Sequence, residues 1–252
     1  MADDRHNPLL GLGEALRFLT QIPVPWLPPM SEEGVGKALP WFPAAGLSIG
    51  AVGAVVGWAA LHLWGPWVAA AAVVVAWGVV TAGLHLDGLS DTFDAVMSWR
   101  PPERKLEIMK DSRIGAMGAL ALAAVLLLKV VLLGARPDLL IPAALLAPVL
   151  GRWADVYGIV RFPPARDGGL GKSFQSLLRP TDFPFATVCM LAAAAVIGGQ
   201  RGLIAAALVW GVSEFLGRRW TSELGGLTGD TYGALSEIGE IVTIATLTAL
   251  IL

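Results

Sequence analysis

The sequence has 252 residues, of which 55% are hydrophobic and only 15% are charged. Soluble domains carry about 25% charged residues, so this composition is typical of a protein embedded in a membrane. The formal net charge of −2 gives no electrostatic basis for binding a nucleic acid. The composition therefore argues against a soluble domain and against a nucleic-acid-binding protein.

The first predicted element is an amphipathic segment at 8–22, which we expect at the membrane interface within an interfacial or cytoplasmic N-terminal segment, 1–40. Seven apolar segments follow, and a span needs roughly 20 apolar residues to cross about 30 Å of hydrocarbon. They lie at about 41–63, 66–86, 116–134, 138–160, 184–199, 202–217 and 238–252. Backbone amides must be paired in lipid, so these spans are predicted to be α-helices. The sequence thus predicts a single all-α domain, a polytopic integral membrane bundle of about seven spans (six to eight).

Basic residues predict the orientation of this bundle, because cytoplasmic loops carry an excess of Lys and Arg. The turns near Gly65, Arg136 and Arg201 hold at most one basic residue each, whereas the longer connections between them hold several. We therefore expect the N-terminus and every long connection on the cytoplasmic side of the inner membrane, and the C-terminus outside. The first residues lack the basic region and cleavage site of a signal peptide, so the spans themselves are expected to direct insertion.

The most informative motif follows the second apolar segment, where Asp87, Asp91 and Asp94 are spaced i, i+4, i+7. This spacing places three carboxylates on one stripe of a helix, where they repel one another unless a cation lies between them. Oxygen ligands suit Mg²⁺, which takes one or two carboxylates together with water and substrate phosphate. Because ionised groups beside an uncharged span are costly, a ligand-free helix end is the less favoured interpretation. The three aspartates are predicted metal ligands.

Two further clusters lie in long connections on the same predicted side. Lys110, Asp111 and Arg113 precede the third span, where the two cations either grip phosphate oxygens or anchor the chain as positive-inside residues. Asp230 and Glu237 follow glycines in the last connection and would share one helical face. Two acidic clusters at helix ends on one membrane side predict a diphosphate bridged by cations between them.

A glycine-rich turn with flanking cations lies at 166–172. Its backbone amides can bind anionic groups, although the spacing is not that of a Walker A phosphate-binding loop. The predicted substrate-binding residues are Asp111, Arg166, Gly168, Gly169 and Lys172.

Other ionisable residues give weaker signals. His85 lies two residues before the first aspartate of the acidic motif, and packing is favoured over catalysis for it. Asp155, Glu214 and Lys129 lie within or near apolar segments, where charges usually face the bundle interior. Asp155 and Glu214 are secondary site candidates. Cys189 lies in an apolar run without a partner for an internal disulfide and is predicted to be a buried structural thiol.

Three motifs in matching order resemble the cobalamin synthase family, the adenosylcobinamide-GDP ribazoletransferases. They are Leu84-His85-Leu86-Asp87-Gly88-Leu89-Ser90-Asp91-Thr92, Lys110-Asp111-Ser112-Arg113-Ile114-Gly115 and Thr228-Gly229-Asp230-Thr231-Tyr232-Gly233-Ala234. Segments 18–25, 41–43 and 168–171 are also similar, so the resemblance runs nearly end to end. Ser90 and Ala95 depart from the Ala and Gly expected in many members, and neither change removes a carboxylate.

The resemblance implies a Mg²⁺-dependent transferase of a late step in cobalamin biosynthesis. Such an enzyme joins adenosylcobinamide-GDP to α-ribazole or its 5′-phosphate, gives adenosylcobalamin or its 5′-phosphate, and releases GMP. The implied partners are these small-molecule substrates and membrane lipid, with a homo-oligomer or an association with other cobalamin-assembly enzymes as further options.

The mechanistic hypothesis is in-line attack by a ribazole hydroxyl on the cobinamide-side phosphorus, with GMP as the leaving group. The first aspartate motif would hold Mg²⁺, and either Asp230 or Glu237 would hold a second ion or act as the general base. Lys110 and Arg113 would stabilise negative charge on the leaving GMP.

Two rival interpretations stay open. Another Mg²⁺-dependent membrane transferase with a diphosphate substrate, such as a CDP-alcohol phosphotransferase or a prenyltransferase, would also place acidic motifs beside membrane helices. The former expects an Asp-Gly-x-x-Ala-Arg run, which Ser90 and Asp91 interrupt. A cation transporter would place its acidic residues near mid-span, whereas most of those here lie at predicted cytoplasmic helix ends.

Overall fold

The computed structural model describes residues 8–27 and 31–249, which are largely helical. The helices are α1 Pro8–Leu19, α2 Glu32–Ala38, α3 Phe42–Trp64, α4 Pro66–Val80, α5 Leu84–Val96, α6 Pro102–Ile108, α7 Ala116–Ala135, α8 Leu140–Arg161, α9 Leu170–Leu177, α10 Asp182–Leu224 and α11 Gly229–Thr248. A 3-10 turn, Leu39–Trp41, joins α2 to α3. Over the described ranges there is no strand, only an isolated bridge between Pro164 and Leu227. The all-α prediction is confirmed.

The lengths and apolar surfaces of the helices are those of a membrane protein. Four helical stretches, which contain α3, α7, α8 and α10, are long and apolar enough to cross a membrane, and α4 with α5 makes a fifth candidate bent by 90°. The outer faces of α7 and α10 expose many large apolar side chains, a pattern that soluble monomers rarely show. They include Leu120, Leu127, Leu128, Val131, Val188, Leu191, Val196, Leu203 and Leu208.

The fifth and sixth predicted spans form the single helix α10, which is broken at Gly199 (φ 57°, ψ −138°). Both arms contact the same part of α8. Trp153 donates a hydrogen bond to Thr187 of the first arm (3.0 Å), and Trp210 of the second arm donates one to Tyr157 (3.1 Å). The two arms are therefore an antiparallel pair, as two separate spans would be.

Several predicted boundaries differ from the structure. The segment predicted to end at residue 86 stops at Val80, because Ala82 (φ 51°) and Gly83 (φ 69°) turn the chain into the polar helix α5. The last span begins earlier than predicted, because Thr228 caps α11 in a capping box with Thr231. The stretch predicted as a connection up to residue 237 is thus mostly helix. Residues 1–7, at the start of the predicted N-terminal segment, and 250–252, at the end of the last predicted span, lie outside the described ranges. Cys189, predicted to be a buried thiol, is half-buried.

The central helix is α8, nearly all of whose residues are buried. Helix α3 runs antiparallel to it, with Gly46 against the backbone of Pro148, and α11 does the same with Gly151 of α8 against Ser236. Glycines allow this close approach of helices. The first turns of α3, α7 and α11 and the last turn of α8 consequently lie at one end of the bundle. Helices α1, α5 and α9 lie across that end, which we call the polar end.

Candidate active site

The aspartates of α5 meet the start of α11 at the polar end. A Cβ atom on Gly88 would lie 2.7 Å from the carbonyl oxygen of Asp230, so the two backbones are in contact there. Gly233 makes the reciprocal approach to His85. These two glycines bring Asp87 and Asp230, which are far apart in sequence, to one place, as the sequence analysis predicted.

The α5 carboxylates form a strongly negative cluster. Partial burial, together with the negative charges of Asp87, Asp230, Asp94 and Asp111, raises the pKa of Asp91 to about 7. Helix α5 is bent by 90° from the apolar helix α4 and carries the aspartates next to the start of α11, so we assign this cluster to the polar end rather than to the apolar helices. Within the described ranges, no group of three or more His, Cys, Asp or Glu side chains could hold a metal ion by itself. A pair such as Asp87 and Asp91, completed by substrate phosphate and water, is the kind of donor set that Mg²⁺ uses.

Asp94, the third predicted ligand, has a different set of contacts. Its carboxylate accepts hydrogen bonds from the backbone amides of Gly115 (2.7 Å) and Gly118 (2.8 Å). Gly115 is the N-cap residue of α7 and offers no side chain for this purpose. Asp94 therefore satisfies amides that the first turn of α7 leaves unpaired, and the negative charge suits a helix N-terminus. Its role as a metal ligand beside Asp87 and Asp91 stays a prediction, and in this structure both of its carboxylate oxygens bond amides at the start of α7.

A short backbone pairing brings the glycine-rich turn next to Asp230. Leu227 donates to the carbonyl of Pro163, and Ala165 donates to the carbonyl of Leu227, both at 2.8 Å. A cleft of about 220 Å³ results. It is lined by Pro164, Arg166, Gly169, Gly171, Lys172, Leu227, Thr228, Gly229 and Asp230.

The cleft combines an anion-binding wall with an acidic one. Gly169 is the N-cap residue of α9 and has no side chain that could accept hydrogen bonds from the first-turn amides. These amides can therefore donate to an anion bound at the glycine-rich turn. Arg166 donates to the carbonyl of Leu106 at 2.7 Å, and Lys172 pairs with the exposed Asp167 at 2.7 Å. The structure thus places Arg166, Gly169 and Lys172 together, while Gly168 lies on the exposed outer part of the turn.

The predicted residues Lys110, Asp111 and Arg113 lie in the exposed connection after α6. Arg113, whose side chain is 86% exposed, donates to both carboxylate oxygens of Asp111 (3.0 and 2.6 Å). These hydrogen bonds lower the pKa of Asp111 to about 2. Lys110 is exposed at the start of the same connection. In this arrangement Arg113 forms an ion pair with a carboxylate of its own loop. Contact of these residues with substrate stays a prediction.

Glu237 lies deeper in the bundle than predicted. Lys129 donates to Glu237 (2.6 Å) and to Glu240 (2.5 Å), and Arg152 donates to Glu240. All four side chains are almost completely buried. The catalytic role of Glu237 beside Asp230 stays a prediction, and in this structure its carboxylate pairs with an intramembrane lysine. The sequence signal for this buried cluster was the presence of charged residues within apolar segments. It identified Lys129 but not Arg152.

The buried network continues to the polar end through a histidine. Arg152 donates to Nδ1 of His85 (3.4 Å), and Nε2 of His85 bonds Asp155 (3.1 Å). Nδ1 is thus an acceptor, which assigns the ring proton to Nε2 as the donor to Asp155. His85 therefore makes hydrogen bonds with Arg152 and Asp155, whereas the sequence favoured a packing role for this residue. The other secondary candidate, Glu214, belongs to a separate cluster in which Tyr157 donates to it (2.5 Å).

A partly open cavity of about 130 Å³ adjoins these groups. His85, Asp87, Asp155 and Asp230 line one part of it, and aromatic and aliphatic side chains line the rest. The apolar lining residues are Phe18, Leu19, Phe42, Leu84, Ile159, Phe174 and Tyr232. Sequence reasoning did not find this cavity, because its aromatic residues come from four separate parts of the chain.

A helical membrane bundle whose polar end joins paired carboxylates, a basic glycine-rich turn and a cavity has the features of an integral membrane enzyme, with groups suited to a phosphorylated substrate. The sequence comparisons define it further. The chain belongs to the cobalamin-5-phosphate synthase family, whose family model matches residues 11–248.

Curated relatives share this similarity over nearly the whole chain. An adenosylcobinamide-GDP ribazoletransferase of Roseiflexus sp. (strain RS-1) is 66% identical over 242 residues, which cover 96% of this chain and 90% of the relative. Proteins of the same name from Herpetosiphon aurantiacus and Brevibacillus brevis are 48% and 40% identical, over 95% and 92% of this chain and 96% and 95% of theirs. No solved structure matches the chain.

Proposed function

We propose that this chain transfers the adenosylcobinamide phosphate group of adenosylcobinamide-GDP to α-ribazole or its 5′-phosphate and releases GMP. Its place in the family and the name carried by its relatives support this reaction. The observation that carries the proposal is the contact at Gly88, which joins the carboxylates of α5 to Asp230 and the basic turn. A diphosphate linkage needs acidic groups for a cation and basic groups for its oxygens at one place.

The residues present fit a Mg²⁺ site at Asp87 and Asp91. Burial and four neighbouring carboxylates raise the pKa of Asp91, so a cation would stabilise the cluster, and its donors are all oxygens. Mg²⁺ bound there would neutralise charge on the donor diphosphate. No larger metal cage is needed, because Mg²⁺ keeps waters and phosphate oxygens as ligands.

The other residues of the cleft bind and orient the reacting groups. Arg166 and the amides at the start of α9 hold phosphate oxygens. The attacking ribazole hydroxyl forms a new oxygen–phosphorus bond as the bond to GMP breaks. Asp230, which accepts a hydrogen bond from Thr228 (3.2 Å), takes the hydroxyl proton. Holding both substrates in line is the main contribution of such a site.

We further propose that the polar end faces the cytoplasm at the inner membrane. The long connections at this end contain most of the basic residues outside the helices, whereas the opposite turns contain Arg136 and Arg201. The positive-inside rule then places the polar end on the cytoplasmic side, where soluble nucleotide substrates occur.

Purified protein in lipid vesicles tests the reaction directly. We expect GMP release from adenosylcobinamide-GDP only when ribazole phosphate and Mg²⁺ are both present. Asp87→Asn and Asp91→Asn should each lower the rate at least about 100-fold, since loss of electrostatic stabilisation commonly costs that much. Asp138→Asn, in an exposed turn at the opposite end, is the matched control and should retain the wild-type rate.

Two results would contradict the proposal. One is near-wild-type turnover by Asp87→Asn and Asp91→Asn. The other is release of pyrophosphate instead of GMP, which would favour a transferase of the prenyltransferase kind.

A further inference from the structure

The cavity of about 130 Å³ at the polar end has no assigned ligand, and its lining combines flat apolar walls with residues that carry unsatisfied polar atoms. Phe18 and Phe42 lie nearly parallel, with ring centroids 5.8 Å apart and an interplanar angle of 15°. Phe174 meets both edge-on, at 5.4 and 5.7 Å. Tyr232 lines the same cavity. Aromatic walls of this kind favour a planar aromatic ligand.

Two polar atoms in the lining lack partners although they are fully buried. The hydroxyl of Tyr232 and Oδ1 of Asp155 make no hydrogen bond, while the two residues are only 5% and 3% exposed. An unpaired buried polar group costs free energy, and such groups are rare in native proteins. Both residues line the cavity, and the Tyr232 hydroxyl lies beside Gly171 of α9. A ligand that reaches these atoms with polar groups at its edge would satisfy them.

We propose that this cavity binds the heteroaromatic base of the acceptor nucleoside, with the Tyr232 hydroxyl donating to a ring nitrogen. The assignment rests on the proposed function, which supplies an acceptor consisting of a flat benzimidazole base on a ribose. Asp155 Oδ1 accepts a hydrogen bond from a ribose hydroxyl. Asp87 and Asp230 line the same cavity, so the ribose of an acceptor bound this way faces the reacting groups.

The other aromatic parts of the two substrates fit less well. The cobinamide macrocycle is far larger than a cavity of about 130 Å³. Guanine presents three acceptors (N3, O6 and N7) and two donor groups (N1–H and the amino group) at its edges, and each needs a partner when buried. The unpaired hydroxyl and the unpaired carboxylate oxygen of the lining residues match the smaller polar demand of a benzimidazole nucleoside.

The two tyrosines of the chain provide a matched pair of variants. Tyr232→Phe removes the unpaired hydroxyl and nothing else, so it should not destabilise the protein. We expect the KM for the ribazole acceptor to rise about tenfold, as for one lost hydrogen bond, with the KM for adenosylcobinamide-GDP unchanged. Tyr157→Phe removes a hydroxyl that is bonded to Glu214 and Trp210 away from the cavity. This control should leave both KM values unchanged.

An altered acceptor tests the same hydrogen bond from the other side. An acceptor with indole in place of benzimidazole lacks the ring nitrogen that accepts from Tyr232. Its KM with the wild-type protein should be about tenfold higher than that of the normal acceptor, and this difference should vanish in Tyr232→Phe.

The outcomes separate this assignment from the proposed function. GMP release by the wild type with an unchanged acceptor KM in Tyr232→Phe would overturn the assignment alone. A rise in the KM for adenosylcobinamide-GDP instead would place the donor in the cavity and also overturn it. Absence of GMP release by the wild type would remove the proposed function, and the assignment with it.

Discussion

At the residue scale, the charges of the bundle divide into a group at the polar end and a buried group that is internally compensated. Asp87 and Asp230 line the cavity, and Asp91 belongs to the same acidic cluster. Lys129, Glu237, Glu240 and Arg152 instead bond one another far from solvent. Sequence spacing alone could not separate these groups, because Asp230 and Glu237 share one face of α11.

Replacing Lys129 with methionine should strongly destabilise the protein. Arg152 would still neutralise Glu240, but Glu237 would be left as an uncompensated buried charge. Breaking a buried ion pair in this way costs about 3–5 kcal/mol. Thermal unfolding in detergent should show a clear fall in Tm for Lys129→Met.

The double variant Lys129→Met with Glu237→Gln is the control for this charge effect. It removes both charges of the pair and keeps the approximate volume of the side chains, so much of the lost stability should return. If the double variant is no more stable than Lys129→Met, packing rather than charge explains the effect. GMP release by the stable double variant would also show that Glu237 is not the general base.

At the scale of elements, the site depends on the crossing of α5 over the start of α11. The sequence predicted that Asp87 and Asp230 come together, since both motifs lie at helix ends on one predicted side. It did not predict the 90° bend between α4 and α5, because the apolar run continues to Leu86 and hides the turn at Ala82. It also missed the hydrogen bonds of Asp94 to α7, which depend on where α7 begins in space.

Gly88→Ala tests whether this crossing positions the carboxylates. The new Cβ atom would lie 2.7 Å from the Asp230 carbonyl oxygen and 2.9 Å from its Cα, so the backbones must separate. A displacement of about 1 Å in a catalytic arrangement can cost about 100-fold in rate. We therefore expect a loss of that order in GMP release, although every carboxylate is retained.

Gly211→Ala is the matched control for the glycine substitution. Gly211 is a helical glycine of α10, and a Cβ atom there has no neighbour within 4 Å. Alanine favours a helix by about 1 kcal/mol relative to glycine, so this variant should be as stable as the wild type or more so, with normal turnover. Wild-type turnover by Gly88→Ala would show that the close crossing is not needed.

At the scale of the whole molecule, the alternation of long and short connections was the strongest guide to function. The tight turns at Gly65, Arg136 and Gly199 lie at one end, and the long connections with α5, α6 and α9 lie at the other. The sequence could therefore indicate which end carries the site. It could not indicate the aromatic cavity, because residues such as Phe18 and Phe174 look like ordinary apolar packing until the fold brings them together.

The sidedness of the molecule in the membrane can be tested with a single-cysteine series. Cys189 is the only native cysteine, so Cys189→Ser gives a background without thiols. Asp167→Cys would place a thiol in the exposed glycine-rich turn at the polar end, and Asp138→Cys would place one in the opposite turn; the native side chains are 102% and 60% exposed. Both sites are hydrophilic, so neither substitution disturbs packing.

A membrane-impermeant maleimide should then react in opposite ways with the two variants. We expect Asp138→Cys to be labelled in intact spheroplasts and Asp167→Cys only in inverted membrane vesicles, because the positive-inside rule places the basic connections in the cytoplasm. The reverse pattern would place the polar end outside and contradict the proposed location. Labelling of both variants from the same side would contradict the alternating arrangement of the spans, since α8 alone separates residue 138 from residue 167.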